Sequence, residues 1–479
     1  MSNVRPHVAE KAASYEVLKD LERSAPWPRV PLTEAVDLNP KPKRGSLSDE
    51  LEVSFVPMAA VEAGTGGIDT STVRRYREVK KGYTYFRDGD VLFAKITPCM
   101  ENGKIAVARK LRNGIGFGST EFHVLRPREG VDALYIYHFV SSAQFRAEAA
   151  HHMTGAVGQK RVPTLFLEQS EIPLPPIDKQ RRIVTEIEKQ FSRLDEAVAD
   201  LKHVKANLKR YWSAVLKAAV EGRLVPTEAE LARREGRSYE TGAQLLQRVL
   251  ETRHSQWKGK GKYKEPAALE TRDLPELPEG WAWITLDQLT SKITSGSRDW
   301  SPFYGRGKSI FVLAQNVRPL VPDFSVQQFV DPPGDDPSCE RSRIQDGDLL
   351  TTIVGANTGQ VCLVGHSPGD AYVCQSVALM RPALIDTGIY LNYWLNSDEH
   401  GQRYFDRCMY GQGRPHLSFE QLMATPIALP PVAEQRCIVA EVDRRLSLVR
   451  EVDAEVDTNL KRGDRLRQSV LQHEFRTND

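Results

Sequence analysis

The sequence predicts a duplicated α+β protein: two similar mixed α+β modules separated by two long antiparallel helices that form a coiled coil, a pseudo-twofold tandem repeat. Three observations carry this. Leu174-Pro175-Pro176 returns as Leu429-Pro430-Pro431, 255 positions later, and the same offset relates Arg126-Pro127 to Arg381-Pro382, Tyr135 to Tyr390, Gln180 to Gln435, Arg181 to Arg436 and Glu186 to Glu441. Upstream of each Leu-Pro-Pro lie short apolar runs punctuated by Gly, Pro and Asn, the pattern of strands joined by turns. Downstream of each lie about 45 residues with apolar side chains at three- and four-residue steps, the period of an amphipathic helix.

Taken in order, residues 1–25 are expected to be an N-terminal extension with a short helix at 15–23, stopped by Pro26 and Pro28. The first module covers 26–176, with strands at 53–58, 91–96, 105–108 and 121–125 and a helix at 134–150. The first long helix covers 177–222, where no Gly or Pro occurs from Ile177 to Glu221. Its seam is Ile183, Ile187, Phe191, Leu194, Val198 and Leu201, continuing through Leu208, Trp212 and Val215. Residues 223–280 are hydrophilic and read as a linker holding one helix, at 243–257. Its tract Lys258-Gly259-Lys260-Gly261-Lys262-Tyr263-Lys264 reads as a solvated tether that lets the second module begin far from the first. The second module covers 281–430, with strands at 310–314, 348–354, 361–364 and 373–380 and a helix at 389–405. The second long helix covers 431–476, with seam residues Ile438, Val442, Leu446, Val449 and Val456, then Leu460, Leu466 and Val470. Only Gly463 interrupts it, at a cost of about 1 kcal/mol relative to Ala. An apolar stripe about 65 Å long must be covered, and the nearest complementary stripe is its own duplicate. Antiparallel pairing then places one module at each end.

Composition narrows the function classes. The chain has 479 residues and a net charge of +2, so uniform basicity does not announce a polyanionic partner, although Lys and Arg gathered locally suffice for one. Six cysteines are scattered without a C-x-x-C pair, which points to reduced thiols in a cytoplasmic protein and to no metal site. No apolar run has the length of a membrane span or a secretory signal. Catalytic signatures are weak. Asp331-Pro332-Pro333-Gly334 resembles the Asp-Pro-Pro-aromatic element of amino-methylating DNA enzymes, but Gly334 stands where the base-stacking ring should be, and the turn reads as surface. Gly64-Thr65-Gly66-Gly67 and the Gly114–Gly118 run fit neither a dinucleotide fingerprint nor a phosphate loop. His151-His152 lacks a carboxylate at ligand spacing. No residue is assigned a catalytic or metal-binding role.

Polar loops recur instead. Arg87-Asp88-Gly89-Asp90 corresponds to Gln345-Asp346-Gly347-Asp348, a tight turn into a strand. The loop after the first of these strands carries Lys95, Thr97, Asn102 and Lys104, and the loop after the second carries Asn357, Thr358 and Gln360. Further on, Gly155 to Arg161, with Gln159, Lys160 and Arg161, parallels Gly411 to His416, with Gln412, Arg414 and His416. Asn316 and Arg318 join the candidates. Asn and Gln match adenine edges, Arg and Lys match guanine or phosphate, and glycine lets backbone approach closely, so the repeated loops point to double-stranded DNA.

Two variable modules, each closed by Leu-Pro-Pro-x-x-x-Gln-Arg-x-Ile-Val, with Leu-Pro-Glu-Gly-Trp at 277–281, resemble the specificity (S) subunit of type I restriction-modification systems. The resemblance runs from Trp27 onward. It implies that each module is a target recognition domain reading half of a bipartite target, and that the helices set the spacer and dock two methyltransferase (M) subunits. It further implies S-adenosylmethionine in those subunits, motor-nuclease (R) subunits using ATP and Mg, and no catalysis by this chain. Residues 1–25, and the absence of a Leu-Pro-Glu-Gly lead before Trp27, depart from that pattern. Two readings compete with DNA recognition. A self-sufficient DNA-modifying enzyme would bind S-adenosylmethionine or cleave DNA alone, and a coiled-coil scaffold would show no salt-sensitive duplex binding.

Overall fold

The computed structural model describes residues 27–43, 47–156, 158–257, 262–334, 336–411 and 413–475. The 1–25 extension with its expected helix, Lys258-Gly259-Lys260-Gly261 of the tether, Val157 and Gln412 lie outside the described residues. The chain divides into two compact units, residues 1–202 with 457–479, and residues 203–456. Each unit contains one module and parts of both long helices.

In the first unit the strands are β1 (Arg29–Pro31), β2 (Val36–Leu38), β3 (Glu52–Val56), β4 (Val73–Arg75), β5 (Thr84–Arg87), β6 (Val91–Ala94), β7 (Ile105–Val107), β8 (Ile115–Gly118), β9 (Phe122–Pro127) and β10 (Glu171–Pro173). They form sheets ordered β2-β9-β6-β7 and β4-β3-β8-β5, and the pair β1-β10. The second unit has β11 (Ala282–Thr285), β12 (Thr290–Ser295), β13 (Tyr304–Val312), β14 (Gln328–Val330), β15 (Leu349–Thr352), β16 (Val361–Leu363), β17 (Ala371–Val373), β18 (Val377–Pro382) and β19 (Pro426–Leu429). Its sheets, β12-β18-β15-β16, β14-β13-β17 and β11-β19, repeat the plan of the first unit. The parallel pairing of β3 with β8 returns as β13 with β17. Among the described residues β5 has no strand counterpart.

The α-helices of eight or more residues, among the described residues, are α1 (Ala133–Ser141), α2 (Ala143–His151), α3 (Ile177–Val220), α4 (Glu228–Glu235), α5 (Gly242–Ser255), α6 (Gly388–Leu395) and α7 (Val432–Glu474). The helix expected at 134–150 is two. Ser142 sits in an extended conformation and its side chain accepts from the Phe145 N–H, capping α2. The helix expected at 389–405 likewise breaks after Leu395 into a single π turn, Asp398–Gln402, followed by Arg403–Cys408. The strand expected at 373–380 is the two strands β17 and β18.

The duplicated residues prove to be anchors. The Tyr135 hydroxyl donates to the Pro173 carbonyl and the Tyr390 hydroxyl to the Ala428 carbonyl, each at 2.7 Å, stapling the module helix to the last strand. Asp90 and Asp348 are buried, each accepting from its own turn backbone and from Arg126 or Arg381. Removing one partner of such a buried pair costs about 3–5 kcal/mol. In the motif that opens each long helix, the Gln180 side-chain amide donates to the Pro175 carbonyl (2.7 Å) and that of Gln435 to the Pro430 carbonyl (2.8 Å). Both glutamines are buried, so the motif fixes where the helix starts and leaves the module.

Each long helix begins on its own module and then meets the other helix. In the first unit Val184 and Ile183 join the module core, and farther along Asp195 pairs with Arg467 and Val198 lies against Gly463. In the second unit Ile438, Val442 and Leu446 share a core with Val215, Leu216, Ala219 and Val220, and Lys205 meets Asp453 at 3.6 Å. Partners on α7 fall in number as those on α3 rise, so the helices run antiparallel, as expected. Of the predicted seam, Ile187, Ile438, Val442, Leu446 and Val456 are buried, and Ile183, Phe191, Leu194, Val198, Leu201 and Val449 are half-buried. Leu466 departs from the expectation and is exposed. Helix α7 runs through Gly463 without interruption, and a Cβ there would come within 3.2 Å of the Val198 side chain. This glycine permits a close approach of the helices.

The expected free linker is corrected. Leu245 and Val249 of α5 are fully buried in the second unit's core, and Ala229 and Ala232 of α4 are buried too. Thr227 and Thr241 cap these helices with reciprocal bonds to Glu230 and Gln244. Short amphipathic helices gain stability only by docking, and these dock where the hydrophilic average of 223–280 concealed an apolar face.

Candidate nucleic-acid interface

In the first module, the segment that leaves β6 meets the glycine-containing loop that precedes Arg161. The Thr97 N–H donates to the Lys160 carbonyl (3.0 Å), the Val162 N–H to Lys95 (2.9 Å) and the Arg161 N–H to Thr154 (2.8 Å). Their base is braced from below. The Arg161 guanidinium holds both oxygens of Glu121 at 2.8–3.1 Å, which draws the Glu121 carboxyl below its ordinary pKa. His123 is buried, and burial lowers its pKa, favouring the neutral ring. Its Nε2 lies 2.8 Å from the Val162 carbonyl and its Nδ1 3.2 Å from the Asn39 amide, so Nε2–H donates and Nδ1 accepts.

The second module builds the same juxtaposition. The Gly355 N–H donates to the Pro415 carbonyl (3.0 Å), the Thr358 hydroxyl donates to the same oxygen (3.0 Å), and Val354 bridges His416. In each module the two loops singled out in the sequence therefore lie side by side.

Not every candidate presents its side chain. The Lys104 ammonium donates to the Met58 and Val61 carbonyls (3.0 and 2.8 Å), so it ties down a neighbouring turn. Asn316 is buried; its oxygen accepts from the Leu313 N–H and its amide donates to the Asp323 and Val326 carbonyls, which removes it from any interface. Arg161, Thr97 and Thr358 spend their polar atoms on Glu121, Glu101 and the loop backbone. The Gln360 amide oxygen is buried without a hydrogen-bond partner among the described residues. Exposed or half-exposed on the loop pairs are Lys95, Asn102, Gln159 and Lys160 in the first module, and Asn357, Arg414 and His416 in the second. Arg318 is exposed on a separate loop, beside Asp323. Sequence reasoning missed the Glu121–His123 brace, whose alternating polar positions look like any strand, and the exposed Tyr410, which stacks on His416 at 5.7 Å.

Known proteins resemble this chain. Residues 26–207 match the type I restriction modification DNA specificity domain. The chain is 27% identical over 89% of its length to the EcoEI specificity subunit of Escherichia coli, and 28% identical over 91% to the EcoAI specificity subunit, covering 78% and 79% of those proteins. The chain is thus similar to type I restriction specificity subunits along most of its length. The fold is also found in solved structures: a chain from a structural study of assembly and conformational transition in a type I system superposes with a TM-score of 0.69 at 20% identity, covering 95% of this chain and 98% of that one. The HsdS subunit of Thermoanaerobacter tengcongensis gives 0.55 at 20% identity, covering 94% and 96%. In this chain the Asp331–Gly334 stretch is a turn, as read from its sequence, with Pro333 accepting from the Asp336 N–H. His152 stacks on Phe166 and bonds its own helix backbone. Among the described residues no His, Cys, Asp or Glu cluster could hold a metal ion, and no helix is long and apolar enough to cross a membrane.

Proposed function

We propose that this chain is the DNA-reading subunit of a cytoplasmic type I complex, each module reading half of a bipartite target and the α3–α7 pair setting the unread spacer. The carrying observation is the repeated loop pair, 95–104 beside 154–161 and 354–360 beside 410–416, on modules of one topology joined to two mutually paired helices. Lys95, Asn102, Gln159 and Lys160 contact one half-site, and Asn357, Arg414, His416 and the adjacent Gln412 contact the other, with Arg318 near a phosphate. The helices dock two methyltransferase subunits, which bind S-adenosylmethionine and methylate adenine. Motor-nuclease subunits using ATP and Mg complete the endonuclease. The chain itself supplies position, not chemistry.

Grafting loops 354–360 and 410–416 from a relative of different specificity tests this reading. Methylated adenines mapped in the host genome are expected to change at one half-site and to persist at the other. A change at both, or at neither, contradicts the assignment.

A further inference from the structure

Each unit contains a joint that the repeated motifs do not explain. In the first unit His138, buried on α1, places Nε2 2.8 Å from the Glu188 carboxylate of α3. Its ring meets Phe191 edge-on at 5.6 Å, and Arg467 of α7 covers Phe191 at 4.5 Å while pairing with Asp195. In the second unit the Tyr393 hydroxyl of α6 donates to Asp443 of α7, and its ring meets Trp212 of α3 edge-on at 6.5 Å. The offset of 255 relates His138 to Tyr393, Glu188 to Asp443, and Arg467 to Trp212. Each joint therefore links the module helix, its own long helix and the other long helix at equivalent positions.

The residue types differ while the arrangement persists. Imidazole is exchanged for phenol, glutamate for aspartate, and arginine for tryptophan, yet a buried ring donor still meets a carboxylate at the same level of the helix. The other anchors, Tyr135 and Gln180 with their counterparts, bond only backbone within the module or at the helix start. This joint reaches both long helices through side chains at equivalent positions of the two units, and hydrogen bonds to a charged group are directional and strong.

We infer that His138–Glu188 and Tyr393–Asp443 are positioning pairs that pin each module at one angle on the helix pair and so confine the target to a single spacer length. The inference rests on the proposed reading function. A module free to rock on its helices would accept half-sites at neighbouring separations without any change in base choice.

The test uses the full chain in its methyltransferase complex, with methylated sites mapped genome-wide. Tyr393→Phe removes the hydroxyl and keeps the ring against Trp212; His138→Phe removes the Nε2–H donor and keeps an aromatic ring beside Phe191. Each is expected to raise the share of methylated sites with a spacer longer or shorter by about one base pair, roughly tenfold, with both half-sites unchanged. Asp443→Asn and Glu188→Gln keep an accepting oxygen and are expected to hold the original spacing. If the Phe variants lose activity or stability but methylate only at the original spacing, the pairs are ordinary packing and the inference is overturned. If the unmodified complex methylates no bipartite site, the reading function falls and takes this inference with it, an outcome distinct from the first.

Discussion

At the scale of single residues, chemistry-bearing side chains separate into those that build loops and those that face outward. Asn316 spends its whole amide inside the module, so Asn316→Ala is expected to lower stability by about 1–3 kcal/mol, the cost of stranding buried polar groups, and to leave base choice alone. Lys160→Ala should do the reverse: melting stays unchanged while DNA affinity falls evenly across sequences and the salt dependence of binding drops by about one charge. Denaturation and salt-titrated binding of both variants separate the roles. Glu434 makes a different prediction. Buried beneath Trp281, it accepts from the Trp281 indole and the Glu228 N–H, and burial, with the Glu228 and Glu230 charges adding, lifts its pKa to about 7. The folded chain then holds more protons than the unfolded one between pH 4.5 and about 7, so this group's contribution to stability falls as pH rises through that window. Glu434→Gln is expected to gain on the unmodified chain over the same range, by up to about 3 kcal/mol at pH 8. A difference that does not vary with pH would refute the assignment.

At the scale of elements, α3 and α7 depend on how closely they approach. With a Cβ at 463 lying 3.2 Å from Val198, Gly463→Leu should wedge the pair apart at a cost of about 1–3 kcal/mol, read as a lowered denaturation midpoint. An unchanged midpoint would show that the contact is slack. Both long helices were legible in the sequence because an amphipathic period sustained for over forty residues has no other outlet. Strands β6, β7, β15 and β16 were legible for the same reason, as bounded apolar runs. The short strands were not. Strand β8 reads Ile115-Gly116-Phe117-Gly118, poor in β propensity, and its glycines are required because a side chain at 116 would strike Phe86. The Ser142 break was concealed by apolar residues continuing on either side, although a serine cap was there to be read. The docking of α4 and α5 was invisible because their partners lie elsewhere in the chain. In the candidate loops, the sequence could not tell Lys104, bonded to backbone, from Lys160, which is exposed.

At the scale of the whole molecule, the proposed function joins duplicated readers to a helical ruler. Duplication lets one architecture address two half-sites, while loop side chains diverge freely over retained anchors such as Asp90–Arg126 and Asp348–Arg381. On the proposed function the spacer belongs to the helices and the bases to the loops. These two properties should vary independently. The most direct measurement inserts about four residues, one helical turn, into both α3 and α7 and maps methylated adenines in cells carrying the cognate methyltransferase. The expected result is a longer spacer with both half-sites intact; methylation that persists at the original spacing would contradict the ruler.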